Sequence, residues 1–324
     1  MKRSFRAMAF ALVLFSITPI TAEATQTLIP VGKVIGLQLQ NDTVTVAAFD
    51  EECPAARDAG IKIGDELVKI DGRAIQSTED VRSAMRSCNS QIELTIRRNG
   101  KLSTLHMTPA SDTEGPRLGL FLRQGIAGIG TVTFYDPETG YFGTLGHGVN
   151  DNRGNLLSMK QGFAYEAQIN SVRKGKSGEP GQLKGSADDM HTVGTILKNT
   201  PQGVFGKASH PWYGQPVPVA AYREIQTGNA SIRCCIAGDH VQEYSVEILK
   251  IYPENRNDGR NFLIKVTDSA LLSATGGIVQ GMSGSPLVQN GKLIGAVTHV
   301  FVNDPTRGYG IFIENMLAEA EKIK

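Results

Sequence analysis

Charge of one sign is what this 324-residue chain lacks: 33 lysines and arginines stand against 32 aspartates and glutamates, a formal net charge of +1. So balanced a field leaves no electrostatic footprint for a polyanion, and nucleic acid is excluded as a partner. Cysteine is scarce, four in all, and neither Cys53 with Cys88 nor the adjacent Cys234 and Cys235 makes a C-x-x-C pair with distal ligands, so no metal and no cofactor is expected. Neighbouring cysteines strain any bridge between them, and the expectation is four small buried thiols. Long apolar runs are missing as well. Ala7 to Ile17 is about eleven residues, short of the roughly 20 that span a bilayer. With Lys2, Arg3 and Arg6 before it and Ala22-Glu23-Ala24 after it, residues 1–24 read as a signal for export across the cytoplasmic membrane, or as an N-terminal anchor if left uncleaved.

What is present is a chain of two domains, 40% hydrophobic with 36 glycines and 14 prolines, and mostly β. From 28 to 110, short strand candidates at Val44–Ala48, Leu67–Ile70 and Ile92–Ile96 alternate with the turns Asp71-Gly72 and Asn99-Gly100. One helix interrupts them. Ser77 is its N-cap, Asp80 three residues on completes a capping box, and Val81, Ala84 and Met85 share a face. Residues 110–117 are polar and turn-rich, a linker; 111–324 follows as a second domain of short strands, with helical periodicity only from Glu314 onward. Residues 173–189, charged and glycine-rich, read as an exposed loop.

Two glycine-framed loops carry the chemistry. In Gly276-Gly-Ile-Val-Gln-Gly-Met-Ser-Gly-Ser-Pro286, Ser283 sits between Gly281 and Gly284, where the backbone can bend sharply, expose a hydroxyl and gather N–H groups at one point. Upstream, His147 lies in Gly143-Thr-Leu-Gly-His-Gly148, on a hinge that lets an imidazole approach a serine. Serine hydrolysis needs that pair, a carboxylate that holds the base in the right tautomer, and donors for the oxyanion, for which the N–H groups of Gly281 and Ser283 are the candidates. Asp268, fifteen positions before Ser283, is the candidate carboxylate, with Asp151 and Asp304 as alternatives and His299 as the rival base.

The run from Pro54 to Gly72, with Ala59-Gly-Ile-Lys-Ile-Gly-Asp-Glu-Leu-Val-Lys-Ile70 at its centre, resembles the middle of a PDZ domain. That resemblance implies a groove in which a peptide tail adds as a strand, here along Ile35, Gly36, Leu37, Gln38 and Leu39, facing the 77–85 helix.

The order of this segment, then Gly130-Thr-Val-Thr-Phe-Tyr135, Gly143-Thr-Leu-Gly-His147, Lys265-Val-Thr-Asp268, Gln280-Gly-Met-Ser-Gly-Ser-Pro286 and Gly295-Ala-Val-Thr-His299, resembles the SpoIVB sporulation peptidases from about residue 28 to the C-terminus. The resemblance implies an N-terminal PDZ domain followed by a trypsin-like double β-barrel, with His147, Asp268 and Ser283 as the catalytic residues of a serine endopeptidase. It further implies a protein exported to the space between forespore and mother cell, which processes itself and cleaves a membrane-bound inhibitor, so that an intramembrane protease activates a late sigma factor. Two features depart from digestive trypsin-like enzymes: Met282 replaces the aspartate that pairs with a freed N-terminus, and the interval from Asp268 to Ser283 is short. Two other readings stand beside this one, a PDZ adaptor with an inactive protease fold and an extracytoplasmic quality-control protease. The second commonly carries its PDZ domains after the catalytic domain, whereas here the PDZ-like segment comes first.

Overall fold

The computed structural model describes residues 26–323 except 89, 114, 152–153 and 253–257; the expected signal segment 1–24 lies outside the described residues. The chain enters with β1 (Thr27–Pro30) and the 16-residue β2 (Val34–Phe49), then α1 (Ala55–Asp58), β3 (Glu66–Ile70), the short β4 (Arg73–Ala74), α2 (Thr78–Arg86), β5 (Ile92–Arg98) and β6 (Lys101–Met107). A hairpin of β7 (Ala110–Asp112) and β8 (Gly115–Arg117) stands where a linker is expected, and the chain returns on an equally long β9 (Leu120–Tyr135). Next come β10 (Tyr141–Thr144), β11 (Gln161–Arg173), β12 (Gln182–Thr200), β13 (Gly203–Ala208) and β14 (Val217–Pro218). The last third holds β15 (Gly228–Cys235), β16 (Val241–Ile251), β17 (Phe262–Val266), α3 (Ser269–Thr275), β18 (Pro286–Gln289), β19 (Lys292–Phe301), β20 (Asp304–Phe312) and α4 (Ile313–Ala320).

These strands close twice. The ladder β9-β10-β13-β12-β11-β2 returns on itself because β2 also pairs with β9, and β15-β16-β17-β20-β19-β18 forms a second closed barrel. Closure leaves no unpaired edge in either ring. Phe134, Phe142 and Phe205 are fully buried on the first barrel and Phe262 and Phe312 on the second, each contributing about 1.5–3 kcal/mol by leaving water. The fold is mostly β, a small unit where the PDZ domain is expected joined to two closed barrels.

The PDZ unit does not stand wholly ahead of the barrels. Residues 34–39, expected within it, belong to the first barrel, where Ile35, Leu37 and Leu39 pack with Val132, Phe142 and Ile196, and β1 pairs with β9 alongside that ring. Its core joins Val44 and Val46 at the far end of β2 to Leu67, Ile70, Ile92, Leu94, Val81 and Met85, and is completed by Leu118 and the half-buried Leu120 and Leu122 beyond the expected boundary. β2 and β9 therefore form a ribbon that runs from the PDZ unit into the first barrel, with a bulge between Leu39 and Val44 at the junction.

Local chemistry explains the elements that are legible in the sequence. Ser77 accepts from the Asp80 N–H and the Asp80 carboxylate accepts from the Ser77 N–H, a complete capping box at the start of α2. Asn99 and Gly100, with φ of 50° and 78°, turn β5 into β6 as a type I′ hairpin requires. The exposed loop 173–189 is shorter than expected: from Gln182 the chain is strand β12, pairing with β11 through Gln182↔Arg173 and Asp188↔Glu166. Its polar residues face solvent from a ladder rather than from a loop. The helix α3 has no counterpart in the periodicity of the sequence.

Candidate active site

The Ser283 loop begins with the end of α3. Asp268 Oδ1 accepts from the Ala270 and Leu271 N–H groups (2.9 and 3.0 Å), which caps the helix, and Gly276 at φ 76° ends it. The loop then turns on Gly281 and Gly284, at φ 99° and 94°, conformations closed to most L-residues. Between them Ser283 is half-buried, and its Oγ donates to the Thr298 carbonyl at 2.9 Å. Among the described residues the N–H groups of Gly281 and Ser283 have no acceptor. Two such donors beside the serine hydroxyl are what an oxyanion requires.

His147 follows β10 by way of Leu145 and Gly146, at φ 69° and 67°. For a leucine that conformation stores about 1–3 kcal/mol of strain, sustained here by its buried side chain. His147 Nδ1 lies 3.0 Å from the Gly148 carbonyl. A carbonyl only accepts, so this bond places the proton on Nδ1 and leaves Nε2 with its lone pair. Burial pushes the imidazole below its ordinary pKa, and the Gly148 bond opposes that only in part. His147 and Ser283 line one cleft of about 340 Å³, walled by Leu37 and Leu39 of β2, Ile126 of β9 and Leu145.

The structure brings these two together but does not link Asp268 to them. The second oxygen of Asp268 lies 3.4 Å from the Ser245 N–H, and among the described residues its carboxylate makes no hydrogen bond to His147 or His299. Asp151 accepts from the Asn155 N–H at 3.0 Å, and Asp304 holds Thr306 and Arg307. His299, on β19, lies beside His147 with ring centres 5.5 Å apart; its Nδ1 is buried and, among the described residues, has no hydrogen-bond partner.

The strand-adding groove expected along Ile35, Gly36, Leu37, Gln38 and Leu39 is not available there. β9 pairs with these five residues on one side (Ile35↔Gly130 to Leu39↔Ile126) and β11 on the other (Ile35↔Glu166 to Leu39↔Gly162), so no edge is free. A groove of about 650 Å³ lies instead between α2 and the start of β9, lined by Val81, Met85, Leu118, Leu120 and Leu122 and flanked by Arg82, Arg86 and Arg117. Its signal in the sequence is Arg117-Leu-Gly-Leu-Phe121, a glycine between apolar residues that open a strand, at the end of the expected linker.

Other site residues have little or no signature in the sequence. Gly148 and Thr298 act through carbonyls, which carry none. Thr131 and Thr133, alternating on an apolar strand, carry one: both are buried, so both hydroxyls need partners. They find them in Gly281 O (2.9 Å) and Gly284 O (2.7 Å). The four cysteines are buried free thiols, and among the described residues no group of three His, Cys, Asp or Glu could hold a metal ion.

Residues 114–317 match the family model described as SpoIVB peptidase S55, and residues 34–108 match a PDZ domain model. A protein of Agrobacterium fabrum that carries a zinc metalloprotease name is 38% identical over 98 residues, which is 30% of this chain and 25% of that protein. The chain thus spans about a quarter of the curated relatives it matches. Among solved structures, the PDZ domain of an SdrC-like protein from Listeria monocytogenes is 24% identical, with a TM-score of 0.23 over 25% of this chain and 87% of that one. A protease from M. tuberculosis in its active form is 16% identical, with a TM-score of 0.37 over 61% of this chain and 74% of that one.

Proposed function

The chain belongs to the SpoIVB peptidase S55 family, a family of serine peptidases, and from that premise we propose that it cuts proteins by acyl transfer through Ser283. The observation that carries this reading is the convergence of Ser283, His147 and the unpaired N–H groups of Gly281 and Ser283 on one cleft.

Ser283 Oγ turns from the Thr298 carbonyl toward His147, a rotation that gives up one hydrogen bond worth about 0.5–1.5 kcal/mol net. Nε2 of His147 takes the hydroxyl proton as oxygen attacks the scissile carbonyl, and the Gly281 and Ser283 N–H groups receive the oxyanion. The imidazolium then protonates the leaving amine, and water, deprotonated by the same Nε2, frees the acyl group. The Gly148 carbonyl keeps the proton on Nδ1 throughout, a tautomer-fixing task that a carboxylate performs elsewhere. Asp268 enters as the third residue on the family resemblance; in the present conformation its carboxylate caps α3 and so supports the loop that carries Ser283. The apolar cleft walls favour substrates that present an apolar side chain beside the cut bond.

We further propose that the α2–β9 groove receives a peptide tail as an added strand and selects the proteins to be cut. Family membership supports a sporulation role: export to the space between forespore and mother cell, self-processing, and cleavage of a membrane-bound inhibitor of an intramembrane protease. Incubation of protein lacking residues 1–24, beside its Ser283→Ala variant, tests the chemistry by mass spectrometry. Self-cleavage by the former alone is expected; equal cleavage by both contradicts the nucleophile.

The Ser283–Thr298 bond favours a second reading, an adaptor whose protease fold is silent. A serine-directed organophosphonate separates the two, since only a competent hydroxyl takes the label.

A further inference from the structure

We propose that Thr131 is a positioning residue that locks the nucleophile loop and the histidine loop into one frame and thereby sets the oxyanion donors; this rests on the serine-peptidase reading above. Thr131 stands on β9 in the first barrel and is 1% exposed. Its N–H donates to the Ser283 carbonyl at 3.1 Å and its Oγ1 to the Gly281 carbonyl at 2.9 Å, so it grips the nucleophile loop of the second barrel at two points. Its own carbonyl accepts from Thr144 Oγ1 at 2.6 Å and from the Leu145 N–H at 3.4 Å, at the root of the histidine loop. One residue thus spans both halves of the site.

The consequence for the oxyanion follows from peptide planarity. The C=O and N–H of one peptide unit point in opposite directions, so an anchored carbonyl aims its N–H. The Gln280–Gly281 unit, which owns the Gly281 N–H, is anchored by Leu183 N–H donating to Gln280 O at 2.8 Å. The next unit is anchored at Gly281 O by Thr131 Oγ1 and at the Met282 N–H by Val279 O, 3.1 Å away. With the planes on both sides of Gly281 fixed, its φ of 99° is fixed too; the Ser283 N–H belongs to the following unit, whose Met282 carbonyl accepts from the Ser285 N–H at 3.0 Å and Oγ at 2.7 Å, so the two donors keep one relative aim. Met282 is wholly buried and apolar and offers no charge for this task. The close fit is visible at Gly284, where a Cβ would come within 2.0 Å of the Thr131 carbonyl.

The test uses the full chain with Thr131→Val, which keeps the shape and removes the donor, and Thr131→Ser, which keeps the donor. Three quantities are read: kcat and KM on a peptide that the wild type cuts, the rate of Ser283 labelling by a fluorescent organophosphonate, and the thermal midpoint. A mis-set oxyanion donor lowers kcat by about a hundredfold or more. Thr131→Val is therefore expected to lose about a hundredfold in kcat and in labelling rate, with KM within about threefold of wild type, and Thr131→Ser to recover most of that loss. The split matters, because general loosening would raise KM and lower the midpoint in step. Wild-type kcat and labelling rate in Thr131→Val, or equal impairment in Thr131→Ser, overturns the inference. If Thr131→Val does not accumulate folded, Thr144→Val cuts the other arm of the frame and is read the same way: lower kcat at constant KM supports the inference, and unchanged kcat overturns it. A wild type that takes no label removes the peptidase reading itself; a wild type that labels while Thr131→Val labels as fast removes only this step.

Discussion

The imidazoles of His147 and His299 lie with ring centres 5.5 Å apart and planes tilted by 40°, and both are held neutral. Burial lowers each pKa. For His299 it is the largest cause, followed by the neighbouring His147 and Arg260 with Asp258 opposing, and the value falls to about 4. A general base works unprotonated, so activity is lost on acidification only when His147 takes a proton, and burial delays that step. The acid limb of kcat/KM is therefore expected below the ordinary imidazole value of about 6.5. A pH–rate profile checks this, and a limb at or above that value contradicts the environment assigned to His147.

His299 gives a second pH dependence, in stability. Above about pH 6.5 neither the folded nor the unfolded chain protonates it. As the pH falls from there through about 4, the unfolded chain binds a proton that the folded chain refuses, so folding stability drops. His299→Leu is expected to flatten the fall of the thermal midpoint across that window while retaining peptide cleavage. Loss of cleavage in a folded His299→Leu would make His299, not His147, the base.

Ser283→Ala and His147→Ala are each expected to lose on the order of a million-fold in kcat if the two act as one unit, with far-ultraviolet circular dichroism unchanged. Measurable turnover by a purified Ser283→Ala protein, free of wild-type contamination, refutes the nucleophile.

Asp268 separates two roles by its substitutions. As a tautomer-fixing carboxylate it would lose roughly ten-thousand-fold in kcat as Asp268→Asn, the loss that the same change causes at the triad aspartate of trypsin. As the cap of α3 it tolerates Asn, which caps as well, whereas Asp268→Ala costs about 1 kcal/mol of stability. The present geometry favours the second pattern: Asn close to wild type in midpoint and turnover, Ala impaired in both. A crippled Asp268→Asn that keeps its midpoint would show that the carboxylate reaches the imidazole during turnover.

What can be read from the sequence is what local chemistry decides. The capping box at Ser77 and Asp80, the Asn99-Gly100 turn and the glycine frames of His147 and Ser283 each act over a few residues. The insertion of the PDZ unit cannot be read that way, because the boundary falls inside β2 and β9 and only the four polar residues Gln40, Asn41, Asp42 and Thr43 interrupt the apolar alternation between Leu39 and Val44. The same holds for Thr131, whose partner Gly281 lies 150 residues away. Asp268 is legible as the end of a strand, but a carboxylate followed by a short helix is also an N-cap, and the helix it caps is too short for periodicity to show.

The displaced groove yields the last prediction. Gly36 lies against β12, where an added Cβ would meet the Ala187 Cβ at 2.4 Å, so Gly36→Ala is expected to strain the first barrel and lower the thermal midpoint together with cleavage of every substrate. Arg82 and Arg86 lie on the α2 side of the relocated groove with side chains 71% and 74% exposed, so reversing their charge costs the fold little. A peptide tail that ends in a carboxylate is attracted by the arginines beside that groove, and the added strand contributes binding energy without touching the acyl-transfer step. The double variant Arg82→Glu/Arg86→Glu is therefore expected to cut a short peptide at the wild-type rate and a full-length protein partner several-fold more slowly, the more so at low salt, where screening is weak. Equal rates on both substrates would remove the groove from substrate selection. A parallel fall on both, in a folded variant, would instead make the PDZ unit a support of the catalytic barrels, acting along the β2–β9 ribbon that joins them.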